Sequence, residues 1–141
     1  MPLFNVFEIA GSAMNAQSVR LNVTASNLAN AGSVSGDPRS VYRAREPIFT
    51  SFDEALSRFG ADQYGIAGVR LAGILESTAP LEEQYRPDHP EADENGNVYV
   101  SNVNTVEEMV NMMSASRSYQ NSIEVINTTK DLLLQTLSLG R

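Results

Sequence analysis

Large apolar residues recur every seventh position at the start of the chain: Phe7, Met14, Leu21 and Leu28. Phe4, Gly11, Ser18 and Ala25 fall between them, and both sets together form one stripe with alternating three- and four-residue spacing. On a helix that spacing keeps every member on one face, as in a coiled-coil seam. The small residues Gly11, Ser18 and Ala25 would let a partner backbone approach closely. Ala29-Asn30-Ala31-Gly32 predicts the helix end, with Gly32 near the position where a left-handed residue closes a helix.

The other end of the chain repeats this grammar. Met109, Met112, Ser116, Tyr119, Ile123, Ile126, Lys130, Leu133 and Leu137 keep 3-4 spacing without interruption. Thr105 with Glu108 three residues later reads as a capping box, and Glu107 and Glu108 suit the positive end of the helix dipole. Gly140 is the expected stop. Lys130 on the seam predicts a residue that reaches the edge or sets register.

Between these segments the pattern changes. Val69-Arg70-Leu71 alternates and predicts a short strand, with Ile74 and Leu75 continuing it past Gly73. Glu94-Asn95-Gly96-Asn97 is a tight-turn signal leading into a second strand, Val98-Tyr99-Val100. Tyr42, Ile48, Phe49 and Phe52 offer a small apolar cluster, and Gly32–Ser40 and Pro87–Asn97 read as loops. The expectation is a mainly α fold: long N- and C-terminal helices paired as a coiled coil, with a small β-containing, irregular middle. Its three parts are an N-terminal coiled-coil helix (1–31), a loop and small β segment (32–104), and a C-terminal coiled-coil helix (105–141).

The 141 residues are the size of one domain, and 42% hydrophobic content allows a modest core. The net charge of −7 opposes nucleic-acid binding, which needs a basic face, and docking on anionic lipid. No cysteine is present, so no disulfide or thiolate metal site can form. No apolar run approaches the ~20 residues of a membrane span. A cleaved signal needs a basic n-region and a continuous apolar run; here the first basic residue is Arg20. These features place the chain in the cytoplasm unless a dedicated exporter takes it without a cleaved signal.

Candidate chemistry is sparse. His89 is the single histidine and lies in the acidic stretch Pro87–Asp93, which lacks the glycine spacing of a calcium loop. A Ser–His–acid triad would depend on it, and no G-x-S-x-G elbow, Walker loop or G-x-G-x-x-G occurs. No cofactor, metal or catalytic residue is therefore expected. Glu82, Glu83, Asp88, Glu91, Asp93 and Glu94 read as a solvated face, or as a set that fixes subunit register against arginines. The helix faces away from the seam are the informative feature. They carry Asn15, Gln17, Asn22, Thr24, Ser26, Asn27, Asn111, Ser114, Ser118, Asn121, Ser122 and Asn127 where a solvated helix would carry charge. Uncharged amides and hydroxyls can be buried once partners satisfy them, so these faces suit contact with other subunits.

Ala25-Ser26-Asn27-Leu28-Ala29-Asn30-Ala31, with Leu21-Asn22-Val23 before it and Tyr42-Arg43-Ala44-Arg45 after, resembles the N-terminal signature of flagellar rod and hook proteins. Val106 to Gln120 resembles their C-terminal signature, and Thr136-Leu137-Ser138-Leu139-Gly140-Arg141 their ending. The short length, the start Leu3 to Ala13 and the segment Ser114 to Tyr119 are similar to the proximal-rod type. The resemblance implies an exported structural subunit, with no cleaved signal, that polymerises in the periplasm into a helical tubular drive shaft. It implies contacts with other copies, with other rod proteins, and with membrane-ring and export-gate proteins at the rod base, in a helical homo- and hetero-oligomer. The expected assembly interface is Phe7, Met14, Leu21, Asn27, Leu28, Asn30, Met109, Met112, Tyr119, Ile123, Ile126, Leu133 and Leu137. Another rod or hook-junction subunit, or a cytoplasmic coiled-coil adaptor, are the alternatives.

Overall fold

The computed structural model describes residues 2–53 and 67–139. Helix α1 (Pro2–Asn30) is followed by β1 (Val34–Ser35), β2 (Arg45–Asp53), β3 (Ala67–Glu76), β4 (Glu82–Tyr85) and β5 (Asn97–Val100), and helix α2 (Thr105–Leu139) closes the order. The expectations about the Phe4 and Phe52 side chains and about Gly140 lie outside the described residues.

Two antiparallel sheets are formed by the described residues between the helices. Strands β1, β5 and β4 form a three-stranded sheet in that spatial order, and β2 and β3 form a separate ribbon. Val98 on β5 is fully buried, and Val41 and Ser101 are buried with it. Gly96, in the turn before β5, has φ +79°, and a Cβ there would meet the Tyr85 ring and Pro87. In the ribbon Ile48 faces Gly73 while Phe49 faces Leu71, so Ala72 is an extra residue, a bulge that re-aims the strand. The stretch 45–53, expected only as part of an apolar cluster, is thus a full strand. Tyr42 and Phe49 turn toward α1, whereas Ile48 points to the ribbon's other face and is exposed.

The ribbon lies along α1. Asn27 meets Arg45, Arg20 sits over the Phe49 ring at 5.3 Å, and Ser12 Oγ accepts a bond from Val69 N at 3.2 Å. Val69 pairs with Ser51, so the ribbon advances from residue 45 to 51 as α1 runs back from 27 to 12. Six strand steps and fifteen helix steps both span roughly 20 Å, which is why a ribbon of this length fits this helix. On its other side α1 packs against α2. One cleft brings Arg20 and Thr24 together with Glu107, Glu108, Asn111 and Ser114, so the two helices run in opposite directions.

The expected mainly α, coiled-coil architecture is corrected by this arrangement. Among the described residues there are five strands in two sheets, and α1 is shared between a helix and a ribbon rather than zipped into a two-helix seam. Its buried residues, among those described, are Ala10, Ala16, Val23, Thr24 and Asn27, while Gly11 and Ala25 of the expected stripe are exposed. On α2 the inward stripe is Glu108, Met112, Ala115, Tyr119, Ser122, Ile126, Thr129 and Leu133. Half of it matches the heptad reading; the other half is displaced by one residue. Met109, Ile123 and Lys130 therefore stand outside, and Ala115 (0% exposed) and Thr129 lie inside. Small side chains let two helices approach closely; a large-on-large seam would hold them apart.

Both helix ends also differ in detail. Asn104, not Thr105, caps α2: its Oδ1 accepts from Val106 N at 3.1 Å and Glu107 N at 3.4 Å. The end of α1 closes through Ser33 N to Asn30 O at 3.0 Å, without a left-handed Gly32.

Candidate assembly interface

Asn27 is the most enclosed polar side chain of α1, at 1% exposure. Its Nδ2 donates to Arg45 O at 2.9 Å, and its Oδ1 accepts from Arg45 N at 2.9 Å. The amide thus pairs with the backbone of Arg45 as a neighbouring strand would. The Tyr42 hydroxyl also donates to Asn27 Oδ1 at 2.9 Å and lies 3.2 Å from Ser26 Oγ. Arg45 covers the Tyr42 ring at 5.3 Å and pairs with Glu76 at 3.2 Å. Nearby, Asn102 Oδ1 accepts from Ala44 N at 2.8 Å and its Nδ2 donates to Ala79 O at 3.1 Å. Two asparagines therefore fasten the start of the ribbon: one from α1, one from the segment entering α2. Asn30 bonds within its own helix, Nδ2 to Ser26 O at 2.8 Å.

A cleft of about 480 Å³ opens beside this clasp, between the helices and the ribbon base. Glu108 is half-buried in its wall, and its Oε2 is closed off from solvent without a partner among the described residues. Burial pushes the Glu108 carboxyl above its ordinary range; the nearby Asn27 amide opposes this, and the Glu107 and Glu46 charges add to it. An acid whose folded pKa lies above its unfolded value of about 4.5 favours the folded state when protonated. That contribution is complete below 4.5 and is lost as pH rises through the folded value. Glu108→Gln should therefore raise the melting temperature at pH 7 and leave it nearly unchanged at pH 4, which thermal denaturation at the two pH values will check.

The remaining interface candidates fall into two groups. Phe7, Met14, Leu21 and Leu28 on α1 are half-buried, as are Met112, Tyr119, Ile126 and Leu133 on α2. Met109, Ile123 and Leu137 are exposed, Leu137 at 69%. Beside them stand large apolar residues that the heptad reading left out: Val106, Val110 and Met113 near the start of α2, and Val125, Leu132, Leu134 and Leu139 further on. The signal for them was present in the sequence, since Val106, Val110 and Met113 repeat at helical spacing one residue away from the assumed seam.

His89 sits in a turn, where its Nδ1 accepts from Glu91 N at 3.2 Å. Asp93 Oδ1 accepts from Asn97 N and Asn95 N, each at 2.8 Å; the Asn97 bond does most to hold that carboxyl below its ordinary range. Both groups serve loop structure. Among the described residues no cluster suited to a metal ion occurs, and no helix is long and apolar enough to cross a membrane.

Two family models match the regions that carry the two fastening asparagines. Residues 7–36 match the flagella basal body rod protein family, and residues 94–139 match the C-terminal family of flagellar basal body rod FlgEFG proteins. The first contains Asn27 and the second contains Asn102 and Glu108. The chain is thus a structural, non-enzymatic subunit of the bacterial flagellar basal-body rod class. Similarity to individual proteins narrows the class. The flagellar basal-body rod protein FlgC of Salmonella typhimurium strain LT2 is 52% identical over 141 residues, covering 100% of both chains. That of Escherichia coli O157:H7 is 50% identical over the same span. FlgC of Buchnera aphidicola subsp. Acyrthosiphon pisum is 40% identical over 142 residues and 99% of each chain. This chain belongs to the FlgC family of flagellar basal-body rod proteins.

Proposed function

We propose that the chain builds the proximal part of the rod, polymerising head to tail into a helical tube that carries torque from motor to hook. The observation that supports this reading is the exposed apolar surface of α2: an outward row of Val106, Met109, Val110 and Met113, with Ile123, Leu134 and Leu137 exposed further along the helix. A monomer has no use for so much exposed apolar surface along one helix, and a head-to-tail contact that does not close on itself yields an open helix. Within the subunit, Phe7, Met14, Leu21 and Leu28 steady α1 against its neighbours, and Met112, Tyr119, Ile126 and Leu133 steady α2. Between subunits, Met109, Ile123 and Leu137 belong to that exposed surface.

The same reading places the chain in the periplasm, exported without a cleaved signal, in contact with further copies, other rod proteins, and ring and export-gate proteins at the rod base. Mass spectrometry of purified hook–basal bodies beside the cytoplasmic fraction tests it. Recovery in basal bodies at constant ratio to other rod subunits is the expected result. Abundance in the cytoplasm with absence from basal bodies would overturn the reading.

A further inference from the structure

A second cleft, of about 730 Å³, also reaches Arg45 and is lined by Arg39 and Arg43. Glu76 supplies the only carboxylate among its described lining residues, and it is already paired with Arg45 at 3.2 Å. Arg43 donates to the neutral carbonyls Ser77 O at 3.3 Å and Ala79 O at 3.1 Å, so no carboxylate among the described residues offsets it. Arg39 is exposed, and among the described residues only its backbone N is engaged, by Asp37 Oδ1 at 2.8 Å. Arg45–Glu76 is the one ion pair among the described residues, so the cleft carries an excess of positive charge even with Asp37 beside it.

The same lobe carries the opposite charge along β4 and the loop that follows it. Glu82 and Glu83 stand on β4, the edge strand of the three-stranded sheet, and Asp88, Glu91 and Glu94 follow in the loop to β5. All five are exposed, and Arg86 is the single cation between them. We propose that the arginine cleft of one subunit receives the acidic β4–β5 face of a second copy of this chain. The proposal rests on the rod reading above and adds the contact that sets the register between copies. When each copy offers its cleft to one neighbour and its acidic face to another, the contact is heterologous and propagates. A chain of net charge −7 repels its copies at random orientation. Placing cation against anion at one spot selects the productive orientation, which is what charge complementarity contributes most strongly.

The competing account is pairing of the two poles within one subunit, because the loops carrying them touch. A Cβ on Gly36 would lie 2.6 Å from Glu91 O. The chain has no cysteine, so engineered thiols report cleanly. A tagged chain with Arg39→Cys and an untagged chain with Glu91→Cys are co-expressed in a strain lacking the native copy, and oxidised basal bodies are purified. A disulfide-linked tagged–untagged dimer is the expected result. Both chains present in basal bodies with no dimer, for Glu91→Cys and for Glu82→Cys and Glu94→Cys in its place, would overturn the docking while leaving the rod role intact. Charge reversal provides the second measurement. Arg39→Glu should cut incorporation into basal bodies at least about fivefold, and adding Glu91→Lys with Glu94→Lys should restore it. No restoration would also overturn the docking. Absence of the unsubstituted chain from basal bodies would instead overturn the rod role itself.

Discussion

Asn27→Ala should abolish motility and lower the melting temperature of the purified subunit. The substitution removes one side chain, strands the N–H and C=O of Arg45, and leaves the Tyr42 hydroxyl with only Ser26 Oγ. Each buried group left without a partner costs about 1–3 kcal/mol. Two such groups take a large fraction of the stability of a small domain, about 5–15 kcal/mol. The ribbon start would then detach from α1, and the amide of Arg45 should exchange with solvent far faster than in the unsubstituted protein. Asn27→Asp is the sharper variant. It keeps the acceptor, loses the donor, and sets a negative charge against Arg45 O and beside the Glu108 carboxyl. Its defect should therefore exceed that of Asn27→Ala at pH 7 and ease as pH falls, because protonation restores an O–H donor. Equal defects at every pH would show that charge plays no part. A normal melting temperature for Asn27→Ala would show that the clasp does not hold the ribbon.

The same clasp explains which parts of the architecture could be read from sequence. The two end helices were visible because 3-4 spacing runs through both, and β5 was visible because Gly96 and its neighbours spell a tight turn. Strand β3 was partly visible from Val69-Arg70-Leu71. Strand β2 was hidden: Pro47 interrupts it, and the Ala72 bulge on its partner breaks the pairing alternation. The choice of helix face failed for a physical reason. A heptad count rewards large apolar residues, so Met109 and Ile123 were assigned to the seam. In the folded chain α1 must fit between a helix and a ribbon, and only small residues such as Ala10, Ala16 and Ala115 permit that approach. The signature around Asn27 marked an important position but not its task. Nothing local to Ala25–Ala31 tells a reader that the amide will meet a backbone 18 residues ahead.

The exposed apolar surface of α2 should be dispensable for folding and indispensable for assembly. Met113 is 57% exposed and Leu134 is exposed too, so Met113→Asp with Leu134→Asp places both charges in water in the free subunit. Surface changes of this kind shift stability by only about 0.5 kcal/mol, and the circular dichroism and melting temperature of the monomer should scarcely move. In the assembled rod the same positions would bury unpaired carboxylates, at a cost of about 3–5 kcal/mol for each charge left without a partner. Basal bodies should then lack the variant, and swimming should be lost. Ala115→Trp is the opposite control. Ala115 is fully buried between the helices, so a large ring there must push α2 off α1 and lower the melting temperature of the isolated subunit. The pair of results separates two faces of one helix. If the Met113→Asp, Leu134→Asp chain still builds rods and supports swimming, this apolar surface is not the contact between subunits. Assembly would then have to run through the sheets and the charged clefts. If it folds normally and fails only to assemble, the exposed methionine and leucines are the surface on which the rod is built.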